Sequence, residues 1–561
     1  MALLKIAGGK VYDPANGIDG VVRDIWIQDG AVIAAPTDPA VRPTKTVDAA
    51  GDIVFPGGID MHSHFAGPKV TVARKLRPEE KREAEALPRG RHRRAGDRAT
   101  VPNTFATGYL YAGMGCTTAV DAAVPALFAR HAHEEMQDVP AIDKGFLVLA
   151  GNNHYVLDRI REGACDRLDQ YVAWLVGAAK GLGVKVVNPG GIEEWKERGR
   201  RTLVDIDAEV DGFHVTPRRI VGELAASLDR LGMPHPVHVH CNNLGAPGNA
   251  ATTLATMDAL DGRRGHLAHV QFHSYGGDPG DEAGFRSAVP RLAERLKANP
   301  RLSFDVGHVS FGKTTSLTGD GPLGYYLHKV TGAKWYSSDT EMETGCGIVP
   351  IEYRANSLIH SVQWAIGLEW YLLFDDPWRM ALSTDHPNGG TFLKYPETIR
   401  LLMDREHRKE AIARAHPKLA ERCTLPDLDR EYSLYEIAII TRAAPARLLG
   451  LPHKGHLGPG ADGDVAIHRP GADPAAMFAL PRYVLKRGEI VVDDGEYRGA
   501  APGETIYCEP AVDPAAVPEI RAWFESCYTV SFRNYGVDLA SLPVRRAIAC
   551  GGNVRAGAAP E

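Results

Sequence analysis

The stretch FPGGIDMHSHFAG, residues 55–67, places two histidines one residue apart after an apolar run and a Pro-Gly-Gly break. Alternate side chains of a β-strand point the same way, so the imidazoles of His62 and His64 would share one face. They could then bind the same metal ion. The alternative is a strand end that presents two polar residues to solvent. The remaining ligands of a metal site have to come from elsewhere in the chain.

Short β-rich runs alternate with helical stretches through most of the chain that follows. The β-rich runs include GCTTAVDAA, KGFLVLAGN, GVKVVNPG, HPVHVHCNN, GHLAHVQFHS and MALSTDHPNGG, and amphipathic segments such as VPRLAERLKAN lie between them. This alternation predicts an α/β fold, with a TIM-like (β/α)8 barrel over residues 55–452. A doubly wound nucleotide-binding sheet is less favoured, because no GxGxxG motif follows a strand.

The two ends of the chain have a similar composition and periodicity. Residues 1–54 contain short alternating runs separated by Gly, Asp and Pro, and residues 453–510 contain comparable ones. We expect one small β-sandwich domain built from both segments, with the barrel inserted between them. Residues 511–561 include RAWFESCYTVSFRNYGV, which is too aromatic for a disordered segment. This tail should therefore pack on the chain itself or on a partner.

The bulk composition excludes several classes of function. Of the 561 residues, 44% are hydrophobic and 24% are charged, as in an ordinary globular protein. The net charge of −6 gives no support for binding nucleic acid or a membrane surface. The N-terminus MALLKIAGGKVYDP lacks an apolar signal segment, and no apolar run is long enough to span a bilayer, so we expect a cytoplasmic location. The eight cysteines form no CxxC motif, which disfavours a disulfide framework or an iron–sulfur cluster.

Further candidate ligands stand at the ends of other predicted strands. They are Lys185 in GVKVVNPG, His238 and His240 in VHVHCNN, His266, His269 and His273 in GHLAHVQFHS, and Asp385 and His386 in LSTDHPNGG. Each alone has an ordinary explanation, since a buried histidine is usually hydrogen-bonded and a strand lysine usually reaches the surface. In a (β/α)8 barrel, however, the C-terminal ends of the strands converge on one site. The ordered set therefore predicts a metal centre.

This ordered set resembles the amidohydrolase superfamily, whose members hold two metal ions at the end of a barrel. The residues that match the ligand positions of that family are His62, His64, Lys185, His240, His269 and Asp385. The resemblance implies two zinc ions, with Lys185 carboxylated on its amine so that it bridges them. It also implies that Asp385 carries the proton from the attacking water to the leaving nitrogen. The positions of His238 and His266 are offset from the ligand positions of that family, and we treat these two histidines as supporting residues.

Longer motifs point to one group of proteins within this superfamily. HSHFAGPKV, NTFATGYLYAGMGCTTAV, HVHCNNLGAPGN, ETGCGIVP and STDHPNGGTFLKYP are similar to segments of the A subunits of formylmethanofuran dehydrogenases and formyltransferase/hydrolase complexes. The resemblance implies a multisubunit complex in which N-formylmethanofuran, or a methylofuran analogue, exchanges with formate and the free amine. Asn243 is a candidate donor for orienting that substrate. The direction of the reaction stays open, although an Ala- and Arg-rich composition favours the hydrolase complex.

Two other functions remain as alternatives. A cyclic-amide hydrolase resembling dihydroorotase would use the same ligands, although HCNNLGAPGN and ETGCGIVP argue against it. A metal-free barrel could serve as an interaction protein. Such barrels lose ligands, whereas every ligand position of this sequence is filled.

Residues 71–100 are densely charged and interrupt the alternation of strands and helices. The basic residues of this excursion are Arg74, Lys75, Arg77, Arg91, Arg93 and Arg94. Because the segment follows the metal-binding strand, we expect it on the side where substrate enters, where it would steer an acidic cofactor arm or dock another protein of the complex. The alternative is a solvated loop, which the interleaved glutamates favour.

Overall fold

A computed structural model describes residues 3–94, 96–197, 203–340, 344–499 and 501–551. Eight parallel strands form a barrel with consecutive neighbours. They are β1 (Gly58–Ser63), β2 (Cys116–Val124), β3 (Asp143–Leu149), β4 (Gly183–Val187), β5 (Val237–His240), β6 (Gly265–Leu267), β7 (Leu302–Asp305) and β8 (Met380–Ala381). The circle closes just beyond β8, where the N–H of His64 donates to the carbonyl of His386 at 2.7 Å. The predicted fold class is confirmed.

Helices connect the strands and cover the outside of the barrel. They are Pro68–Leu76, Glu80–Glu83, Thr104–Gly113, Ala129–Gln137, His154–Glu162, Cys165–Ala179, Gly191–Glu197, Pro217–Arg230, Ala250–Ala259, Val289–Lys297, Gly321–Thr331, Leu358–Leu373, Tyr395–Met403, Arg405–Arg414, Leu434–Ala438 and Ala444–Leu449. The helix Val289–Lys297 shows why they pack this way. Its buried residues Val289, Leu292, Ala293 and Leu296 follow the spacing of one helical face, and charged residues occupy the other.

A nine-stranded sheet combines both ends of the chain. Its strands are Leu3–Asp13, Ile18–Gln28, Ala31–Ile33, Lys45–Asp48, Ile53–Pro56, Val465–His468, Tyr483–Lys486, Glu489–Asp493 and Glu496–Tyr497. The strand Ile53–Pro56 pairs antiparallel with Val465–His468 and so joins the two segments. The sheet has an apolar core of its own, which includes Ile6 and Leu485. Because β1 begins two residues after Pro56, the sheet directly anchors the strand that carries His62.

The C-terminal part of the chain returns to the barrel. We expected residues 453–510 in the β domain, but the strand Thr505–Cys508 pairs in parallel with β3, with Thr505 opposite Lys144. Its other edge pairs in parallel with the strand Arg545–Ile548. The strand Thr505–Cys508 is buried, and β3 offers it free backbone groups where β3 begins. The aromatic tail packs on the chain itself, since the ring of Trp174 stacks on Phe532 at 5.2 Å. Within the described ranges, no helix is both long and apolar enough to cross a bilayer.

One loop of the charged excursion lies at the other end of the barrel from the predicted substrate entrance. Residues Ala86 and Asp97 form an antiparallel bridge, so the residues between them fold back as a loop. Arg91, Arg93 and Arg94 line a cleft beside Lys144, near the beginning of β3. The expectation that they face the entering substrate is therefore wrong for this loop. The helix Pro68–Leu76 follows β1 directly on the C-terminal side of the barrel. The residues after it contact the insertion that follows β7, where Arg77 donates to the carbonyl of Thr314 at 2.6 Å and Glu83 pairs with Lys313 at 3.0 Å.

A three-stranded sheet follows β7 and forms a separate layer near the C-terminal end of the barrel. Its strands are Gly312–Ser316, Tyr336–Thr340 and Thr344–Tyr353, and the helix Gly321–Thr331 lies between the first two in the chain. The side chain of Asn388, just beyond β8, accepts a hydrogen bond from the N–H of Leu317 at 2.7 Å. The insertion is therefore attached to the loop that carries Asp385.

Candidate metal centre

The two histidines of β1 converge on Asp385. His62 Nε2 lies 3.2 Å and His64 Nε2 lies 3.1 Å from Asp385 Oδ1. The opposite nitrogen of each ring faces another buried carboxylate: His62 Nδ1 lies 2.8 Å from Asp305, and His64 Nδ1 lies 3.1 Å from Asp121. A carboxylate holds the proton on Nδ1 and so directs the lone pair of Nε2 towards a metal. The strand thus presents two oriented ligands.

A second group of histidines comes from the ends of β5 and β6. Ring nitrogens of His240, His269 and His273 lie within 4.8 Å of one another. His240 Nε2 lies 3.1 Å from Asp320, which leaves its Nδ1 without a hydrogen-bond partner among the described residues. His269 Nδ1 also lacks a partner within the described ranges. Burial lowers the pKa values of His269 and His273 well below the ordinary range, so both rings are neutral and can act as ligands.

Lys185 and Asp385 connect the two groups. Lys185 is 1% exposed, and its Nζ lies 3.4 Å from His62 Nε2. Burial lowers the pKa of Lys185 to about 8, so part of the amine is neutral near physiological pH. Burial alone would raise the pKa of Asp385, but the electrostatic effect of the surrounding histidines holds that pKa well below its usual value. The site therefore combines a carboxylate with an unusually weakly basic amine.

The backbone at two of these residues is held in an unfavourable conformation. Asp385 has φ of 50° and His269 has φ of 33°, in the left-handed region that non-glycine residues rarely adopt. Such residues cost of the order of 1–3 kcal/mol each and persist where the surroundings enforce them. Gly307 contributes to this, since a Cβ on it would lie 2.3 Å from the Cβ of His269. The fold positions both side chains against a local backbone preference.

The donor atoms at this site fit a two-metal centre. Asp385 Oδ2, His240 Nδ1 and His269 Nδ1 are buried and have no hydrogen-bond partner among the described residues. Each unpartnered buried polar atom costs about 1–3 kcal/mol, so the cluster is incomplete with protein atoms alone. Imidazole nitrogens and carboxylate oxygens without thiolates suit zinc or a similar divalent ion.

The comparison with known families agrees with this geometry. Residues 45–492 match the model of the amidohydrolase family. The chain belongs to the amidohydrolase family. This match includes every barrel strand and, from the nine-stranded sheet, the strands Lys45–Asp48, Ile53–Pro56, Val465–His468 and Tyr483–Lys486 with most of Glu489–Asp493.

Two curated amidohydrolase relatives match almost from end to end. Protein FwdA of Methanocaldococcus jannaschii is 42% identical over 555 residues, which cover 95% of this chain and 96% of the relative. The A subunit of the formyltransferase/hydrolase complex Fhc of Methylorubrum extorquens is 39% identical over 547 residues, covering 96% and 97%. The crystal structure of the Methylorubrum extorquens formyltransferase/hydrolase complex FhcABCD with methylofuran contains a chain that superposes with a TM-score of 0.92. That chain is 38% identical, and the match covers 98% of this chain and 99% of that one.

The structure brings together the six side chains that the sequence proposed as ligands. The two supporting histidines of the amidohydrolase barrel lie against the Asp305 side of His62. His238 Nε2 lies 3.0 Å from His62 Nδ1, and His266 Nε2 lies 3.2 Å from Asp305. Their contacts are with other side chains of the cluster. They support the position of His62, as their offset in the sequence indicated.

Asn243 has a different environment from the one we expected. Its Oδ1 accepts the N–H of Val204 at 2.7 Å, and its Nδ2 donates to the carbonyl of Val204 at 2.8 Å and to Thr252 at 3.0 Å. An amide side chain has two N–H donors, so both are used. Asn243 therefore attaches the backbone of Val204 to the C-terminal end of the barrel.

The sequence reasoning missed three residues that orient the amidohydrolase centre. They are Asp121, Asp305 and Asp320. Asp121 in TTAVDAAV and Asp305 in LSFD lie in apolar strands, and a carboxylate there is unusual enough to have been a signal. Asp320 lies in the insertion after β7, where no local pattern indicated contact with His240.

Proposed function

We propose that this chain is the amide-cleaving A subunit of a multisubunit complex that acts on N-formylmethanofuran or a methylofuran analogue. The reaction releases formate and the free amine. One observation carries the proposal: a complete set of amidohydrolase ligand residues occurs in a chain that matches the A subunit of the Fhc complex over nearly its whole length. A cytoplasmic location is part of the proposal.

Two zinc ions would be held by the side chains of both histidine groups, with Asp385 and Lys185 between them. An amine cannot bridge two cations, whereas the neutral amine of Lys185 and carbon dioxide would give a carbamate with loss of a proton, and the carbamate shares one negative charge between two oxygens. The lowered pKa of Lys185 favours this reaction, because only the neutral amine attacks carbon dioxide. When bound, the ions would supply Lewis acidity and lower the pKa of a water molecule to near 7.

Asp385 is the proton carrier in this proposal. Its Oδ2 is unpartnered within the described ranges, and its low pKa keeps it ionised at neutral pH, so it can accept a proton from the attacking water. It then donates this proton to the amide nitrogen, which leaves poorly as an anion. The positive φ of Asp385 keeps the carboxylate turned towards the histidines during both transfers.

The same site could work in the opposite direction in a formylmethanofuran dehydrogenase complex, where formate is condensed with methanofuran. The similarity to Protein FwdA favours keeping this second candidate. A catalyst accelerates both directions of a reaction equally. The partner proteins that supply or remove formate therefore determine the physiological direction.

A formate-release assay tests the proposed function. The full chain, purified together with any partners, is incubated with N-formylfurfurylamine, a small furan-bearing N-formyl amide. We expect formate release that a chelator abolishes and added zinc restores. Absence of formate from zinc-loaded protein, combined with hydrolysis of dihydroorotate, would favour the cyclic-amide alternative.

A further inference from the structure

A cavity of about 290 Å³ lies beside the candidate metal centre. Its apolar lining includes Leu244, Phe272, Phe285, Leu323, Tyr326 and Ile351. The cavity is close to the metal ligands, since the ring centroids of Phe272 and His269 are 5.8 Å apart. An uncharged furan or a comparable aromatic group suits this lining better than an acidic arm does.

The charged groups of the lining support this view. Two carboxylates, Glu282 and Glu352, border the cavity. Glu282 accepts a hydrogen bond from Tyr326 at 3.1 Å, and Glu352 pairs with Arg354 at 2.8 Å. Both would repel a glutamate-bearing arm that entered the cavity itself. The cavity thus selects the aromatic end of a substrate.

One amide side chain in this lining is held rigidly and has a free donor. Asn388 is 2% exposed, and its Oδ1 accepts the N–H of Leu317 at 2.7 Å. A main-chain donor fixes which end of the amide is the oxygen, so the Nδ2 assignment is unambiguous. Among the described residues, this buried Nδ2 has no hydrogen-bond partner.

The backbone of Asn388 connects it to the reaction site. Its N–H donates to the carbonyl of Asp385 at 2.6 Å, and its own carbonyl accepts the hydroxyl of Tyr353 at 3.1 Å. The backbone of Asn388 is therefore held by its N–H and by its carbonyl, three residues from the proton carrier. Its position depends on the same loop that positions Asp385.

We propose that Asn388 is a catalytic residue, whose Nδ2 donates to the carbonyl oxygen of the scissile amide while the aromatic end of the substrate occupies the cavity. This inference rests on the proposed function. A carbonyl oxygen has two lone pairs, so a fixed N–H can act on it together with a Lewis acid. A donor that is already oriented stabilises the negative charge that develops on this oxygen without any reorganisation.

Two variants remove the donor in different ways. Asn388→Asp keeps an oxygen for the N–H of Leu317 but replaces the donor, and Asn388→Ala removes the donor without adding charge. We expect both to lower kcat for N-formylfurfurylamine by about 10²–10³-fold, the usual effect of losing one oxyanion donor. Zinc content should remain that of the wild type.

Asn153→Asp is a matched control. Asn153 is also buried, its Oδ1 also accepts a main-chain N–H, from Val156 at 3.2 Å, and its Nδ2 is already used by Tyr528 at 3.5 Å. It follows β3 and caps the helix His154–Glu162, away from the cavity lining. We expect the kcat of the Asn153→Asp variant to stay within about twofold of the wild type.

Binding measurements on zinc-free protein separate this role from a structural one. By calorimetry, both Asn388 variants should lose affinity for N-formylfurfurylamine and keep wild-type or higher affinity for furfurylamine, which has no carbonyl. Equal loss for both compounds, or wild-type kcat in both variants, would overturn the inference and leave the proposed function standing. Failure of the wild-type protein to bind or cleave the formyl compound would instead contradict the proposed function, and the inference with it.

Discussion

Each end of the barrel buries a cluster of acidic and basic side chains, and the two clusters differ in how their charges are satisfied. At the N-terminal end, Lys454 Nζ lies 2.7 Å from both Asp462 and Asp464, and it also pairs with Asp143. Lys486 Nζ lies 2.6 Å from Asp143 and 2.7 Å from Asp464. Burial would raise the pKa of Asp143, but the two ammonium groups hold it well below its usual value.

At the C-terminal end, three buried side-chain atoms of the cluster have no partner among the described residues. Asp385 Oδ2, His240 Nδ1 and His269 Nδ1 lack hydrogen bonds in the described part of the chain. Both ends bring possible metal ligands close enough together to hold a cation, three carboxylates at the N-terminal end and mainly histidines at the C-terminal end. The N-terminal cluster already contains two ammonium groups, whereas the C-terminal cluster depends on a ligand from outside the chain. What distinguishes the two clusters is therefore the presence of buried ammonium groups in one and their replacement by unpartnered imidazole and carboxylate atoms in the other.

The largest effect should come from Asp385. We expect Asp385→Asn to lower kcat by about 10²–10⁴-fold, because the proton carrier is lost. The midpoint of urea unfolding should change little, since the carboxamide has the same shape. Steady-state formate release and urea titration measure the two quantities. Turnover within a few-fold of the wild type would remove Asp385 from the role of proton carrier.

At the N-terminal end we expect a loss of stability without a loss of activity. Lys454→Met leaves three buried carboxylates with one remaining ammonium group, so we expect the free energy of unfolding to fall by about 3–5 kcal/mol. The folded fraction should keep its zinc and its kcat. Lys5→Met is a control, because Lys5 pairs with Asp24 at the surface, where an ion pair contributes about 0–1 kcal/mol. Equal losses in both variants would contradict a special role for the buried network.

A smaller effect should follow from changing Asp320, which contacts His240 from the insertion after β7. Asp320→Ala should weaken zinc affinity by about 10–100-fold, as is usual when the partner of a ligating histidine is lost. Asp320 also caps the helix Gly321–Thr331, so the control is Asp404→Ala, which removes the cap of Arg405–Arg414. Both variants should lose about 1 kcal/mol of stability. Competition with a zinc chelator should reveal a change only for Asp320→Ala, and an equal change in both would refute the orienting role.

The smallest effect is expected for the basic loop. Arg91, Arg93 and Arg94 lie near the beginning of β3, and no carboxylate pairs with them among the described residues. Replacing all three with glutamine should leave kcat and KM within about twofold and the stability within about 0.5 kcal/mol. A several-fold rise in KM for a glutamate-bearing substrate would show that the loop acts on substrate despite its position.

The candidate ligands could be chosen from the sequence because each stands in a barrel strand or just beyond one. Periodicity locates strands, and the convergence of barrel strands then brings His62, Lys185 and Asp385 together without any knowledge of loops. The path of long excursions is set by contacts between distant residues. No local pattern could therefore show that Arg91 reaches the opposite end of the barrel.

The same limit applies to the predicted substrate donor. Asn243 stands directly after a ligand strand, and its hydrogen bonds with Val204 depend on a loop from a different part of the chain. Asn388 became a candidate only when the structure showed that Leu317 uses its oxygen and leaves its nitrogen free among the described residues.

The zinc content of the wild-type chain and of Lys185→Met tests the central claim most directly, because only a two-metal centre needs a bridge. Both proteins are purified without chelators, and zinc is measured per chain by plasma mass spectrometry. We predict two equivalents in the wild type and one or fewer in Lys185→Met, with both proteins folded. Far less than one equivalent in the wild type, or two equivalents retained without the lysine, would contradict the account.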